Sequence, residues 1–523
     1  MTDLTAVLLL VALATLVATG ARRWSLPAPS LLVVAGVAIG LLPFTPDLHV
    51  PPQAISVGVL PPLLYASAEE IPVRELRLVW RPVTTLALGL VLASAAAVGF
   101  VAGLVTPLSP AMAFVLGAVL ASTDPVAVTA LGRRLSLPPR VQTMVQAESL
   151  FNDATSLVLF KVAVGTAVAA SAVSIPAAAG EFLLLGGGGA AVGALVAGAV
   201  TLLRRRTGDP VLETVIALVT PYAAYVLAED AHTSGVTAVV VAGVILGGTG
   251  HRLTDARIRL QVHAVYRTVV FLLESVVFAV IGLELPSLIH QLSPGERTWP
   301  LGVLAVSVTL IACRMLWIFP LSLVVQYRAP ARPVSWRLPA VVTWAGTRGV
   351  MPLAAALSIP VLADDGTPLP HRSLVLVLTT GVVVLTLVLQ GFTLAPVVKY
   401  SGIALEPEHT ARQEAEAERS LALAGLRRLD ELAALEAAPQ PVLDQLRRDL
   451  SAKRDHADAV LDDTQDPSGT LMTAYQDLRA DLLQAEEAEL TRLYESRAVT
   501  DTIRRKLQRN LDLEQAGYDD GDG

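Results

Sequence analysis

Apolar runs long enough to cross a bilayer follow one another from Leu4 to about Tyr400, separated by short polar breaks. Backbone groups in hydrocarbon must be satisfied within the chain, so each run reads as a helix. Pro, Gly and charge clusters divide the runs into about thirteen spans. Their centres fall near Leu10, Ala35, Leu60, Leu90, Leu120, Ser156, Val192, Leu218, Val241, Val276, Leu310, Trp344 and Val384. The composition agrees, with 53% hydrophobic and 16% charged residues, where a soluble domain of this size would be far more polar. The first run, Leu4 to Ala21, lacks a basic leader and ends in Arg22-Arg23, which suits a span better than a cleaved signal.

Charge sets the expected orientation. Alternate loops hold Arg22-Arg23, the groups around Arg77, Arg134, Arg205 and Arg259, and Arg328, Arg332 and Arg337. The opposite loops hold only Arg297 and Arg372, eighteen arginines against two. The bias predicts an N-terminus outside and a cytoplasmic C-terminal tail. Residues 1–400 carry 24 Lys/Arg and 19 Asp/Glu, whereas 401–523 carry 15 and 27. The tail is therefore acidic, and nothing in this balance suits a nucleic-acid partner. Ala/Leu-rich charged segments at Thr410 to Ala437 and Leu471 to Leu513, broken by Pro439-Gln440-Pro441 and Asp466-Pro-Ser-Gly469, predict a small cytoplasmic helical domain.

Within the run from Val141 to Ala170 sit Glu148, Asn152 and Asp153. Carboxylates at such depth are expensive and usually face a partner, a cavity or an ion path. Helical spacing places Gln142, Gln146, Ser149, Asp153 and Ser156 on one stripe, with Glu148 and Asn152 beside it. Two other spans read as broken. Asp124-Pro125 has the form of an N-cap and first helical residue in mid-span, so one helix is expected to stop near Ala121 and another to start at Asp124. Thr343 to Pro352 looks the same, with Gly346, Gly349 and Pro352 as breakers. Two interrupted spans in corresponding places point to a transporter with inverted repeats. Asp124 has the right sign for the positive helix ends at such breaks, and Arg348 for the negative ends.

Other buried charges are expected to be structural. Glu274 and Arg314 have opposite signs and fit an ion pair. Lys161 is expected to snorkel to the outer interface. His232, His251 and His263 fall near span ends, where solvated or capping roles are common. The single Cys313 excludes a disulfide framework. No metal-enzyme spacing or nucleotide-binding glycine loop appears, so neither an enzyme nor a bound cofactor is expected.

Ser122-Thr-Asp-Pro-Val-Ala-Val128, Glu148-Ser-Leu-Phe-Asn-Asp153 and Trp344-Ala-Gly-Thr-Arg-Gly349 resemble, in that order, three signatures of monovalent cation:proton antiporters of the NhaP and sodium/proton exchanger type. Leu60-Pro-Pro-Leu63 and Glu274-Ser-Val-Val-Phe278 are also similar, and the likeness covers about residues 5–400. The tail segments Leu483-Gln-Ala-Glu486 and Leu511-Asp-Leu-Glu514 resemble tails of bacterial members more weakly. The resemblance implies an all-α polytopic membrane protein of the inner (plasma) membrane, a homodimer, and a six-helix core with two crossed broken helices. It makes residues 1–400 the exchanger domain and 401–523 a regulatory tail. By the same resemblance Asp153 binds cation or proton, Ser149 and the Thr123 backbone help coordinate, and Glu148 lies nearby. Asp124 and Asn152 hold the broken helix, and Arg348 pairs with Glu148. Members with Asn-Asp, as here, are generally electroneutral. Thr347 departs from the pattern, since leucine is common before the arginine.

One shared carboxylate suggests the mechanism. Asp153, a hydroxyl and carbonyls suit a hard monovalent cation such as Na+, with K+ or Li+ as alternatives. Burial favours the neutral acid and a bound cation favours the carboxylate, so the two ions compete. Two rivals remain at this stage. A cation channel with a cytoplasmic sensor tail would need a filter of repeated carbonyls, and no such loop is seen. An inverted-repeat solute symporter would need a larger polar site.

Overall fold

The structure is a computed structural model that describes residues 12, 15–17, 19–20, 28–41, 51–124, 139–168, 175–253, 255–327, 336–363, 366–401, 407–434, 439–462, 467–496, 499, 503–504, 506–508 and 510–511. The half-helix expected after Asp124, the side chains of Gln142 and His251, most of the first span and the acidic C-terminal end lie outside the described residues. Regular structure among the described residues is helical, apart from one isolated bridge between Leu362 and Pro368.

The chain divides into two compact units, Met1–Ala404 and Leu405–Gly523. In the first, the helices are α1 (Ala28–Gly40), α2 (Pro52–Gly58), α3 (Leu60–Glu69), α4 (Val73–Thr84), α5 (Val91–Val105) and α6 (Pro110–Leu120). They continue with α7 (Pro139–Val168), α8 (Ile175–Arg204), α9 (Pro210–Asp230), α10 (Gly235–Leu253), α11 (Ala256–His290) and α12 (Trp299–Tyr327). Two half-length helices, α13 (Arg337–Trp344) and α14 (Val350–Leu357), and a long α15 (Arg372–Ser401) close the unit. A π-helical turn, Thr85–Leu90, makes α4 and α5 one continuous rod. Seven segments among the described residues are long and apolar enough to cross a membrane, and three more are apolar but shorter. Every expected span centre after Leu10 falls on a helix or on that π-turn.

The helix starts obey local chemistry. Ser109 caps α6, its hydroxyl accepting from the Met112 N–H, with Pro110 in the first turn where no donor is needed. Asp209 caps α9 by accepting from Val211 and Leu212 at 2.7 and 3.1 Å. Pro352 is not a breaker. It is the third residue of α14, where its missing N–H costs no intrahelical bond.

Packing sorts the helices of this unit into two groups. One contains α4, α5, α6, α7, α12, α13, α14 and α15, with α6 on α5 and α7, and α12 on α5 and α15. The other contains α1, α3, α8, α9, α10 and α11, with α1 on α11, and α10 on α3, α8 and α9. The groups meet where α7 touches α8 and α10, and where α11 touches α14 and α15. Leu116, Leu120, Leu150, Ile281 and Leu353 are buried in the main core of the unit.

The second unit contains α16 (Pro407–Ala434), α17 (Gln440–Leu461) and α18 (Pro467–Glu495). Arg419 bonds Asp458, and Asp430 bonds Arg447, each at 2.5 Å. The partner numbers run in opposite directions, so α16 and α17 form an antiparallel hairpin. Ala415, Ala422, Leu429, Leu443 and Ala457 fill its seam.

Candidate functional site

The site is built where the interruption after α6 meets the interruption between α13 and α14. Leu120 ends α6, and Ser122, Thr123 and Asp124 run on without helical bonds. Ala345 to Gly349 does the same between the two half-helices. Each break supplies what the other lacks. The Asp124 N–H donates to the Thr347 carbonyl at 2.8 Å, and the Thr347 hydroxyl donates to the Asp124 carbonyl at 2.8 Å. Arg348 donates from Nη1 to the carbonyls of Ala121 and Ser122, at the C-terminal end of α6. A cation at that end offsets the negative pole of the helix. The Asp124 carboxylate in turn lies against Gly349, the residue that precedes α14 and its positive pole.

Glycine is required at two points by close approach. A Cβ on Gly349 would stand 1.4 Å from Asp124 Oδ2, and one on Gly346 would stand 2.6 Å from the Arg314 Cδ and Nε. These glycines leave clearance for two charged side chains as well as interrupting a helix.

Ser149 and Ser156 of the polar stripe of α7 face α6 and its break. Ser156 donates to the Ala118 carbonyl at 2.6 Å, and Ser149 donates to the Thr123 carbonyl. Asn152 donates from Nδ2 to Thr123 Oγ1 at 3.1 Å and to Glu148 Oε1 at 2.9 Å. Glu148, Ser149, Asn152 and Asp153 are all buried, Glu148 completely and Asp153 to 6% exposure. The polar groups acting on Asp153 are Ser122, Asp124, Glu148 and Arg348. Asp153 Oδ1, Asn152 Oδ1 and Ser122 Oγ are buried and make no well-aligned hydrogen bond among the described residues, although Ser122 lies close enough to Asp153 to act on it. Such orphaned oxygens call for an explanation, and three on adjacent parts of one junction suit a ligand that accepts oxygen donors.

Two expected pairings are corrected. Glu148 does not pair with Arg348. It takes a bidentate fork from Arg314, Nη1 to Oε1 at 2.5 Å and Nη2 to Oε2 at 2.9 Å. Arg314 also reaches the Val342 carbonyl at 3.1 and 3.2 Å, so it is consumed by the site and is not available to Glu274. Arg348 gives its Nη1 to the α6 carbonyls, and its Nε is buried without a hydrogen bond among the described residues. Glu274 is partly buried and has no ion pair among the described residues, and the charged group acting on it is Asp124. Lys161 does not simply snorkel, since it bonds Glu229 Oε2 at 2.7 Å and the Thr233 carbonyl at 3.2 Å. No group of three or more His, Cys, Asp or Glu side chains among the described residues is arranged to hold a metal.

The chain is similar to known proteins. The profile of a family described as "Sodium/hydrogen exchanger, transmembrane" matches residues 8–400. An uncharacterized Na+/H+ exchanger of Mycobacterium tuberculosis is 33% identical over 506 residues, covering 94% of this chain and 92% of its own length. The Na+/H+ antiporter ApNhaP of Aphanothece halophytica is 31% identical over 379 residues, 72% of this chain and 70% of its own. Among solved structures, the sodium proton antiporter MjNhaP1 from Methanocaldococcus jannaschii shares the fold with a TM-score of 0.62. That match has 22% identity and covers 76% of this chain and 97% of the other.

Proposed function

This chain belongs to the sodium/hydrogen exchanger family, and from that premise we propose that it exchanges one monovalent cation for one proton at Asp153 by alternating access. It is a multi-pass membrane protein of a family that exchanges cations for protons. Na+ is the primary cation of the proposal, with K+ and Li+ as alternatives.

The observation that carries the reading is the charge balance at the crossing. Asp124, Glu148 and Asp153 bring three negative charges, and Arg314 and Arg348 bring two positive ones. Glu148 is matched by Arg314, Arg348 answers the end of α6, and Asp124 answers the start of α14. Among these groups one negative charge is left over, with Glu274 standing beyond them against Asp124, and Asp153 Oδ1 is buried with no well-aligned hydrogen bond. A single proton or a single Na+ neutralises it. Binding one excludes the other, because a proton occupies the lone pair that the cation needs.

The ligands for a dehydrated Na+ are the Asp153 carboxylate, the Ser149 hydroxyl and the Thr123 carbonyl and hydroxyl. Asn152 and Ser122 supply further oxygens. Ser149 now donates to Thr123, so its hydroxyl turns when the cation takes over that carbonyl. Only the neutral loaded states cross easily, since a bare buried carboxylate is costly in hydrocarbon. This makes the exchange obligatory. The proposal places the N-terminus outside, the tail in the cytoplasm, and the chain as a homodimer in the inner membrane.

The test is Asp153→Asn in proteoliposomes holding an imposed pH gradient. The amide keeps the shape but carries neither proton nor charge, so cation-driven proton movement should vanish while the protein stays monodisperse in detergent. Wild-type exchange in that variant would remove Asp153 from its role.

A further inference from the structure

Thr347 stands where both breaks touch, and the proposed cation site does not include it. Its carbonyl holds the Asp124 N–H, and its hydroxyl holds the Asp124 carbonyl, both at 2.8 Å. One residue therefore grips the two peptide groups that flank Asp124. The first of these is the Thr123–Asp124 peptide. It is trans, so its N–H and its C=O point in opposite directions. Thr347 pulls on the N–H side, and the Thr123 carbonyl is aimed the other way, at Ser149. The second is the Asp124–Pro125 peptide. It has no N–H, because residue 125 is proline, and its carbonyl is its only polar handle. The Thr347 hydroxyl occupies that handle. Thr347 is 1% exposed, so water does not replace a lost bond freely.

We infer that Thr347 is a positioning residue that sets cation affinity and selectivity by clamping Asp124 through both its peptide groups, its hydroxyl stopping the tilt that would let the Thr123 carbonyl change direction. The inference rests on the proposed site. A carbonyl held from behind keeps one distance to the cation and favours the ion whose size matches. A carbonyl free to tilt accommodates Li+, Na+ and K+ more evenly. Hydroxyl-bearing Thr347 thus does through a side chain what an apolar residue at this position leaves to the backbone bond alone.

The experiment compares wild type, Thr347→Val and Thr347→Ser in two assays. The first is the melting temperature in detergent against NaCl, LiCl and KCl, with choline chloride keeping ionic strength constant. A ligand that binds the folded state raises the melting temperature with its concentration. The second is the KM for each cation in proteoliposomes at one pH. Valine keeps the shape and the backbone bond but loses the hydroxyl. It should raise the Na+ KM roughly two- to tenfold, the range of one hydrogen bond, and flatten the preference among the three cations. Serine restores the hydroxyl and should return both readouts toward wild type.

Wild-type KM and wild-type preference in Thr347→Val overturn the inference. So does a serine variant that behaves like the valine one, since the hydroxyl would then not be the cause. If Thr347→Val does not fold, the serine variant decides alone, and altered cation order in it counts against the inference. Cation-dependent melting without proton exchange in wild type would sink the antiport reading while leaving the Thr347 comparison readable by melting. Melting indifferent to all three cations would overturn both.

Discussion

Arg314 and Arg348 both bring a guanidinium to the crossing, and the structure gives them different work. Arg314 forks onto Glu148, and Arg348 closes the end of α6. Breaking a buried pair by removing one partner costs about 3–5 kcal/mol, because the other charge is left uncompensated. Glu148→Gln should therefore lower thermal stability in detergent sharply, and Glu148→Gln with Arg314→Gln should recover part of the loss. The combination with Arg348→Gln should simply add. If the recovery appears with Arg348 instead, the pairing described here is wrong. Gly346→Ala gives a second check at this scale. Its methyl would collide with the Arg314 side chain, so it should slow exchange and weaken the Glu148 pair, measured by melting and by the same double-mutant comparison. The acids of the site were legible in the sequence, because a 3.6-residue period places Ser149 and Asp153 on one stripe of α7. Their basic partners were not. Sign alone offers two arginines for two glutamates, and which one meets Glu148 depends on how α12 and α13 cross, which no local pattern encodes. The clearance role of Gly346 was hidden for the same reason: a missing Cβ looks alike whether it frees the backbone or makes room for a distant side chain.

At the scale of elements, the interruptions of α6 and of α13 to α14 could be read from Asp124-Pro125 and from Gly346 and Gly349. Their mutual bonding could not, because the partners are more than two hundred residues apart. Proline also misled at one point, since Pro352 sits in the first turn of α14 and breaks nothing. The two helix groups are joined at one end of α7 by Lys161, which reaches Glu229 at the end of α9 and the Thr233 carbonyl beyond it. Both side chains of this pair are about a third exposed or more, at 40% and 34%, so it contributes only about 0–1 kcal/mol to stability. Its interest is its place, on the seam that the proposed alternating access would have to open. A short bifunctional thiol linker across Lys161→Cys and Glu229→Cys should arrest exchange, and reductive release should restore it. Full exchange in the cross-linked protein would mean that α7 and α9 do not separate during the cycle.

For the whole molecule, the proposed competition at one carboxylate would set the response to pH. Below the pH at which Asp153 loses its proton, each unit of acidification should raise the apparent cation KM about tenfold, because one more decade of cation is needed to displace the proton. At high pH the proton return step fails, so the rate in symmetric pH should be bell-shaped, and added cation should move the acid limb to lower pH. An apparent affinity that ignores pH would rule this out. The unit 1–404 has its own core, and deleting 405–523 should leave the slope of KM against pH unchanged. A flattened or displaced curve would give the tail the sensor's part instead. The odd negative charge at the crossing has a thermodynamic consequence. A carrier that travels only when that charge is cancelled moves no net charge, and membrane voltage does no work on it. A resting potential is worth about 2.3 kcal/mol per charge for each 100 mV, yet under the proposed exchange none of it would reach the cation. On the proposed electroneutral exchange the driving force would be the pH difference alone, about 1.4 kcal/mol per unit, so one unit of acidity outside would sustain at most a tenfold expulsion of cation. A cell relying on this protein in alkaline surroundings, where that difference reverses, would find it importing the cation it exports in acid.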